Sequence, residues 1–471
     1  MTDAVASFHE AIRLDPSNAQ FHLSLGANLA LQGQTGEAIS WVQEALRLRP
    51  GFAEAHYQLG LIHGSLGQLD TALLQFQLAL RVNNELGDAA DQLEKLLAAA
   101  NGDLIQNQRR LHLFARGHCN LGIVRSKEGK LDDAIAHYRW ALQLLPDDAD
   151  AHHSLGAALQ QRQQLTEAIE CYREALRCRP EFAESFCNLG YALMDQGDFA
   201  EALTNLDQSV RLKPDFAEAH GTRSQLRLLL GDFEQGWPEY EWRWRQPGVQ
   251  PRGFREQLWN GEGLDGRTIL IHAEQGLGDT IQFIRYAALV KQRGGRVLVE
   301  CQPGLRRLLG GVAGIDALFV QGSRLPAFDT QAPLLSLPGI LRTRIDTIPK
   351  TVPYLHADPK LVTHWQRQLK PHRGLKVGIA WQGNPVFRED RQRSIPLTGF
   401  AALANVRGVQ LISLQKGPGT EQLAELTGDF RVLDLASSLD KASGPFMDTA
   451  AIMKGLDLVI CSDSAVAHLA G

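Results

Sequence analysis

Residues 149–180 read ADAHHSLGAALQQRQQLTEAIECYREALRCRP, and residues 183–214 read AESFCNLGYALMDQGDFAEALTNLDQSVRLKP. Superposed at a step of 34, they place Leu155-Gly156 on Leu189-Gly190, Ala168 on Ala202 and Pro180 on Pro214. The same marks run through the first half of the chain. Glycines 26, 60, 122, 156 and 190 and alanines 38, 72, 134, 168 and 202 share the steps 34, 62, 34 and 34, and Pro50 and Pro146 close two further units. Each residue type has a physical reason. The leucine anchors an apolar face, and the glycine beside it is small enough to admit a neighbouring helix. The alanines mark the closest approach of the two helices of a hairpin. Proline ends the second helix, because it lacks an N–H and its ring clashes with an interior turn.

This pattern resembles the tetratricopeptide repeat, a 34-residue helical hairpin that stacks into a solenoid. Ala4, Phe8, Ala11 and Pro16 fit the second helix of a unit whose first helix is absent, so the chain is expected to open mid-repeat. Residues 217–247 keep the register, with Arg223-Ser224 in place of Leu-Gly and Gly236 in place of the alanine, as a capping repeat would. Residues 87–114 fill the irregular step with 28 residues. Their leucines (93, 96 and 97, then 104, 111 and 113) predict a degenerate hairpin.

The totals exclude several classes. A net charge of −5 over 471 residues offers no basic face for nucleic acid. No apolar run approaches the ~20 residues of a membrane helix. Asp3, His9 and Glu10 stand where a signal peptide needs a basic start and an apolar stretch, so a cytoplasmic location is expected. The six cysteines (119, 171, 178, 187, 301 and 461) form no CxxC pair and no zinc spacing, and read as small buried thiols.

After Pro247-Gly248 the period vanishes. Just before it, Trp237, Tyr240 and Trp244 share one helical face. Stacking on a sugar is conceivable there, but packing at the joint with the next domain accounts better for such large rings. From Arg267 the text alternates strands and helices. Thr268–His272, Arg296–Glu300 and Ala317–Val320 read as strands, with Pro333–Leu337 as a fourth and Thr280–Gln292 as a helix. Prolines 338, 349, 353, 359 and 371 suggest a crossover to a second series, whose strands are Lys376–Trp381, Val409–Ser413 and Leu456–Cys461. Such alternation predicts two parallel sheets, each covered on both faces, with a ligand cleft at the strands' C-terminal ends.

Three segments at those ends carry chemistry. In Glu274-Gln275-Gly276-Leu277-Gly278-Asp279-Thr280 the glycines permit close approach to the backbone, and Asp279 stands at a helix start. The third glycine of GxGxxG is missing, so this is no dinucleotide fingerprint; Asp279 is equally compatible with a plain cap. In Cys461-Ser462-Asp463-Ser464-Ala465-Val466-Ala467-His468 a strand ends in small polar residues and a helix begins, an arrangement suited to pyrophosphate. The loop Gln382–Ile395 carries Arg388, Arg391 and Arg393, which can neutralise a departing diphosphate or simply face water.

Residues 267–471 resemble glycosyltransferase family 9, the ADP-heptose:lipopolysaccharide heptosyltransferases, on Gly278-Asp279 and on Asp463-Ser464-Ala465…His468. The whole layout resembles bacterial proteins that fuse tetratricopeptide repeats to such a domain. The resemblance implies an all-α repeat solenoid over residues 1–248. An α/β domain of two-lobed GT-B (Rossmann-like) fold then follows, with an acceptor-side lobe over 249–358 and a nucleotide-sugar lobe over 359–471. It implies Asp279 as catalytic base, with Gly276, Gly278, Arg391, Arg393, Gln415, Asp463, Ser464, Ala465 and His468 around the donor. Gln415-Lys416-Gly417 replaces the family's acidic ribose ligand. The chain stops at Gly471, so the second lobe is expected to be incomplete. No cofactor is implied, and no DxD motif stands where a donor metal would bind. The partners implied are a nucleotide-sugar donor and a protein, peptide or glycan acceptor. Ser24, Gln58, Asn120, Ser154, Asn188 and Thr222, one before each Leu-Gly position, resemble the asparagine ladder of O-linked N-acetylglucosamine transferases. Asn120 and Asn188 are therefore the candidate acceptor contacts, against the plainer view of a polar stripe kept for solubility. The rival for the whole chain is a non-catalytic repeat scaffold with a degenerate transferase-like domain.

Overall fold

The computed structural model describes residues 2–100, 108–246, 248–386, 390–426, 430–435, 439–440 and 444–471. The chain divides into two compact units, Met1–Leu226 and Arg227–Gly471.

The first unit is an all-helical array. Five hairpins pair Ala19–Leu31 with Thr35–Leu48, Ala53–Ser65 with Leu69–Val82, Gln108–Lys127 with Leu131–Leu144, Ala149–Gln161 with Leu165–Cys178, and Ala183–Gln196 with Phe199–Leu212. The repeated glycines and alanines explain the pairing. A Cβ on Gly26, Gly60, Gly122, Gly156 or Gly190 would stand 2.5–2.8 Å from the side chain of Val42, Phe76, Tyr138, Tyr172 or Leu206, always sixteen residues later. Ala38, Ala72, Ala134, Ala168 and Ala202 are fully buried. Between the helices the backbone turns left-handed at Gly33, Gly67, Gly129, Gln163 and Gly197, again in the 34-residue register. Neighbouring units are stitched by histidines. The Nε2 atoms of His22, His152 and His220 lie 2.8–3.0 Å from the carbonyl oxygens of Pro16, Pro146 and Pro214.

One expectation is refined here. Of the segment expected as a degenerate hairpin, Gly87–Ala100 is one helix, and Gln108–Lys127 is a single 20-residue helix that runs on into the next repeat. Leu104 lies outside the described residues. The helices Ala217–Leu229 and Phe233–Tyr240 both form, and Gly236 seats Leu228. The second of them is tied by side chains to residues far downstream. Trp237 meets Phe283 edge-on at 6.1 Å and lies 3.3 Å from the Cβ position of Gly339, while Arg243 bonds Glu274 and Ser336. The aromatic run is thus packed on the first α/β lobe.

In the second unit, β1 (Thr268–His272), β2 (Arg296–Cys301), β3 (Ala317–Val320) and β4 (Thr330–Pro333) form a parallel sheet of order β3-β2-β1-β4. Strands β5 (Leu375–Ala380), β6 (Val409–Ser413), β7 (Val432–Asp434) and β8 (Leu458–Cys461) form a second, β7-β6-β5-β8. The two lobes therefore repeat one strand order. Alternate residues explain the layers. Ile269, Ile271, Val297 and Val299 pack against Ile281, Ile284, Val290 and Leu308 on the helical side. On the other side Leu270, His272, Leu298 and Glu300 are buried, with Arg252 paired to Glu300 and Phe254 edge-on to His272 at 5.3 Å. In the second lobe Trp365, Ile412 and Ile452 cover one face, and Ile379, Trp381 and Phe400 the other.

The fourth strand lies three residues earlier than its sequence suggested, because Leu334 begins a helical turn that Pro338 continues. The helix expected over 280–292 starts at Leu277 and is broken by a tighter turn at Ile284–Tyr286. Strand β7, of three residues, was not anticipated from the sequence.

Candidate active site

At the end of β1, the central strand of its sheet together with β2, the chain enters a loop that is clamped from several sides. Gln321 Nε2 donates to the Ala273 carbonyl at 3.0 Å, Gln302 Nε2 to the Gln275 carbonyl at 2.8 Å, and the Gln275 amide to Tyr240 Oη at 3.1 Å. Gly276 caps the helix Leu277–Phe283, and its N–H donates to Asp279 Oδ2 at 2.9 Å. Asp279 is thus a helix cap in this structure, and a partly buried one. Burial pushes its carboxyl above the ordinary value, the Gly276 N–H and His468 pull it back, and Asp463 adds to the rise.

Strand β8 ends at Cys461, and Ser464, in extended backbone, opens the six-residue helix Ala465–Ala470. The Oγ atoms of Ser462 and Ser464 are buried and have no hydrogen-bond partner among the described residues, while Asp463 is exposed. Although nearly two hundred residues apart, the two motifs meet. A Cβ on Gly278 would stand 2.8 Å from the His468 ring and 3.4 Å from the Ala465 Cα. Ala465 and Leu469 pack against the first-lobe core. The glycine is therefore required by the approach of the second lobe's helix. Beside His468 lies a cavity of about 150 Å³, lined in part by Tyr354, Met453, Lys454 and Leu469.

The other candidates are engaged elsewhere. Gln415, expected among the donor ligands, clamps its own loop in this structure. Its Oε1 accepts from the Trp381 and Gln382 N–H groups at 2.9 and 3.1 Å, and its Nε2 donates to the Gln382 and Pro418 carbonyls at 2.9 and 2.8 Å. All four bonds of the amide are used. Arg393 Nε donates to the buried Asp390 at 3.1 Å, within its own helical turn. Arg391 lies on the same turn, Asp390–Arg393; Arg388 lies outside the described residues.

In the first unit, Asn120 and Asn188 are half-buried. The register is not uniform, since Thr222 Oγ1 donates to the Glu218 carbonyl at 3.0 Å. Among the described residues no helix is long and apolar enough to cross a membrane, and no three His, Cys, Asp or Glu side chains are grouped as a metal would need.

Sequence reasoning missed the partner of the clamped loop. Arg243 and Glu274 form an ion pair at 2.8 Å with side chains only 7% and 6% exposed. Glu274 stood in the quoted motif and Arg243 in the aromatic run, but nothing local joins residues 31 apart.

Comparison with known proteins agrees with the repeat register. A model described as "TPR repeat" matches residues 122–163 and 159–197, and models described as "Tetratricopeptide repeat" match 2–51, 53–86 and 183–216. Tetratricopeptide repeats are thus present in this chain. Protein FlbA of Caulobacter vibrioides is 27% identical over 281 residues, which is 53% of this chain and 46% of that protein. The chain spans about half the length of that relative. Among solved structures, YrrB, titled a TPR protein with an unusual peptide-binding site, is 21% identical. It covers 46% of this chain and 97% of its own, with a TM-score of 0.23. Pseudomonas aeruginosa PilF is 18% identical, covering 49% and 93%, with a TM-score of 0.28.

Proposed function

We propose that this chain is a glycosyltransferase of GT-B type that moves a sugar from a nucleotide-sugar donor to a protein, peptide or glycan acceptor recruited by its repeats. One observation carries this reading. The Gly-Asp loop after the first strand of one lobe and the Asp-Ser-Ala…His segment after the last strand of the other come together at Gly278, Ala465 and His468. A carboxylate suited to accept a hydroxyl proton then stands beside a helix start suited to phosphate. In this mechanism Asp279 deprotonates the acceptor hydroxyl, which attacks the anomeric carbon from the face opposite the leaving nucleoside diphosphate and inverts it. Asp279 must release the Gly276 N–H or share it while doing so. Ser462, Ser464 and His468 supply hydroxyl and ring groups toward the diphosphate. The amides of Asn120 and Asn188 suit a peptide backbone, which needs one donor and one acceptor at each step.

The test is transfer of labelled sugar by the full chain from a panel of nucleotide sugars. Asp279→Asn is expected to leave donor binding within about twofold and to lower transfer at least about a hundredfold. Near-normal turnover in that variant returns Asp279 to a cap alone.

A repeat scaffold with a non-catalytic α/β unit is the second reading. It is favoured by Gln415, whose amide is fully bonded within its own loop, and by Arg393, whose Nε is bonded to Asp390. Absence of transfer with every donor, together with capture of peptides by the repeats, would select it.

A further inference from the structure

Arg243 follows the helix Phe233–Tyr240 and is held on every side. Its Nη2 donates to Glu274 Oε1 at 2.8 Å and to Ser336 Oγ at 2.7 Å, and its Nη1 donates to Glu241 Oε1 at 2.6 Å. Glu241 Oε2 accepts from Trp244 Nε1 and from Ser336 Oγ, both at 3.1 Å. The guanidinium lies over the Tyr240 and Trp244 rings at 4.7 and 4.5 Å. Glu274 is therefore fixed through its first oxygen by a rigid cluster. Its second, Oε2, is buried and has no hydrogen-bond partner among the described residues. A buried acceptor left without a donor is costly, and this one sits in the loop that also carries Asp279, five residues on.

We propose that Glu274 is a positioning residue for Asp279: clamped by Arg243, it anchors the loop from which Asp279 projects and sets a second acidic group behind it. The role in transfer rests on Asp279 being the general base. Electrostatics support the pairing. Burial raises Glu274 to about 7 against the opposing pull of Arg243, with Glu241 and Asp279 adding to the rise. Around Asp279 stand the Gly276 N–H, His468 and Asp463, and Tyr240 lies near both carboxyls. The charge on Asp279 helps to hold the proton on Glu274 up to near neutrality, so that Glu274 stands uncharged behind the base below that point. Two carboxyls with different environments and different tasks are a recurrent arrangement.

Glu274→Gln keeps the shape and an oxygen for Arg243 but cannot ionise. Two measurements on the full chain test it: sugar transfer against pH, and carbon-13 NMR titration of labelled glutamate carboxyls, with the Glu274 signal identified by its loss in Glu274→Gln. Asp279→Asn, which removes the neighbouring charge, is expected to move the Glu274 midpoint down by at least about half a pH unit. Glu274→Gln should lower kcat about tenfold while the donor KM stays within about twofold. Glu274→Asp should restore part of the rate. A Glu274 midpoint that does not move in Asp279→Asn, or an unchanged kcat in Glu274→Gln, overturns the proposal. If the wild-type chain transfers no sugar but the midpoint moves, the coupling of the two carboxyls stands and the transferase reading fails.

Discussion

In the repeat unit almost every important contact exists in several copies; in the α/β unit each exists once. Gly156 against Tyr172 has four counterparts, and the His152 bond to Pro146 has two. Arg243 against Glu274 has none in the repeat register. Loss of one copy in an array weakens one nearest-neighbour interface, whereas loss of a singular buried pair strands a charge.

The widest separation between the units should appear in their ion pairs. Arg243→Leu leaves Glu274 buried and unpaired, and is expected to destabilise the second unit by about 3–5 kcal/mol. Arg139→Ala breaks the exposed pair with Glu167 in the repeats and should cost about 0–1 kcal/mol. Urea titration followed by tryptophan fluorescence and far-UV circular dichroism measures both, and equal losses would erase the contrast.

A histidine pair tests whether the repeats have a weak copy. His118 Nδ1 lies 3.1 Å from His137 Nδ1, where other repeats reach a proline carbonyl. Burial lowers His118 to about 4, with His137 adding to the fall and Glu94 opposing it. A folded value below the unfolded one gives stability that is present above pH 6.5 and lost as pH falls toward 4. Between pH 7 and pH 5 this amounts to roughly 2 kcal/mol. Position 186, two periods later, holds phenylalanine. His118→Phe should therefore flatten the acid-side fall in the melting midpoint of the repeats, and an unchanged pH dependence would assign it to other groups.

The smallest effect sharpens the same comparison from the favourable side. Gln163 holds a φ of 62° where the other turns have glycine. Gln163→Gly relieves the left-handed strain and should stabilise the array by about 0.5–1 kcal/mol, read as a small rise in melting temperature.

This redundancy also explains what was legible in the sequence. A repeat writes each contact several times at fixed spacing, so Gly26 to Gly190 could be aligned without a fold. The strands β1, β2, β3, β5 and β6 were readable because buried parallel strands are short apolar runs. The ties of the last repeat helix were not. The helical register persists to Gly236, while the residues that hold Phe233–Arg245 lie between 274 and 339. The meeting of Gly278 with His468 was foreseen only as two strand ends facing one cleft. That Gln415 is fully bonded could not be read from its neighbours, since its partners come from Trp381, Gln382 and Pro418.

Gly278 finally acts as a spacer. With a ring atom 2.8 Å and the Ala465 Cα 3.4 Å from where a Cβ would stand, only a residue without a side chain lets the helices Leu277–Phe283 and Ala465–Ala470 come this close. Gly278→Ala would therefore displace the His468 ring or the helix that carries it before any ligand arrives.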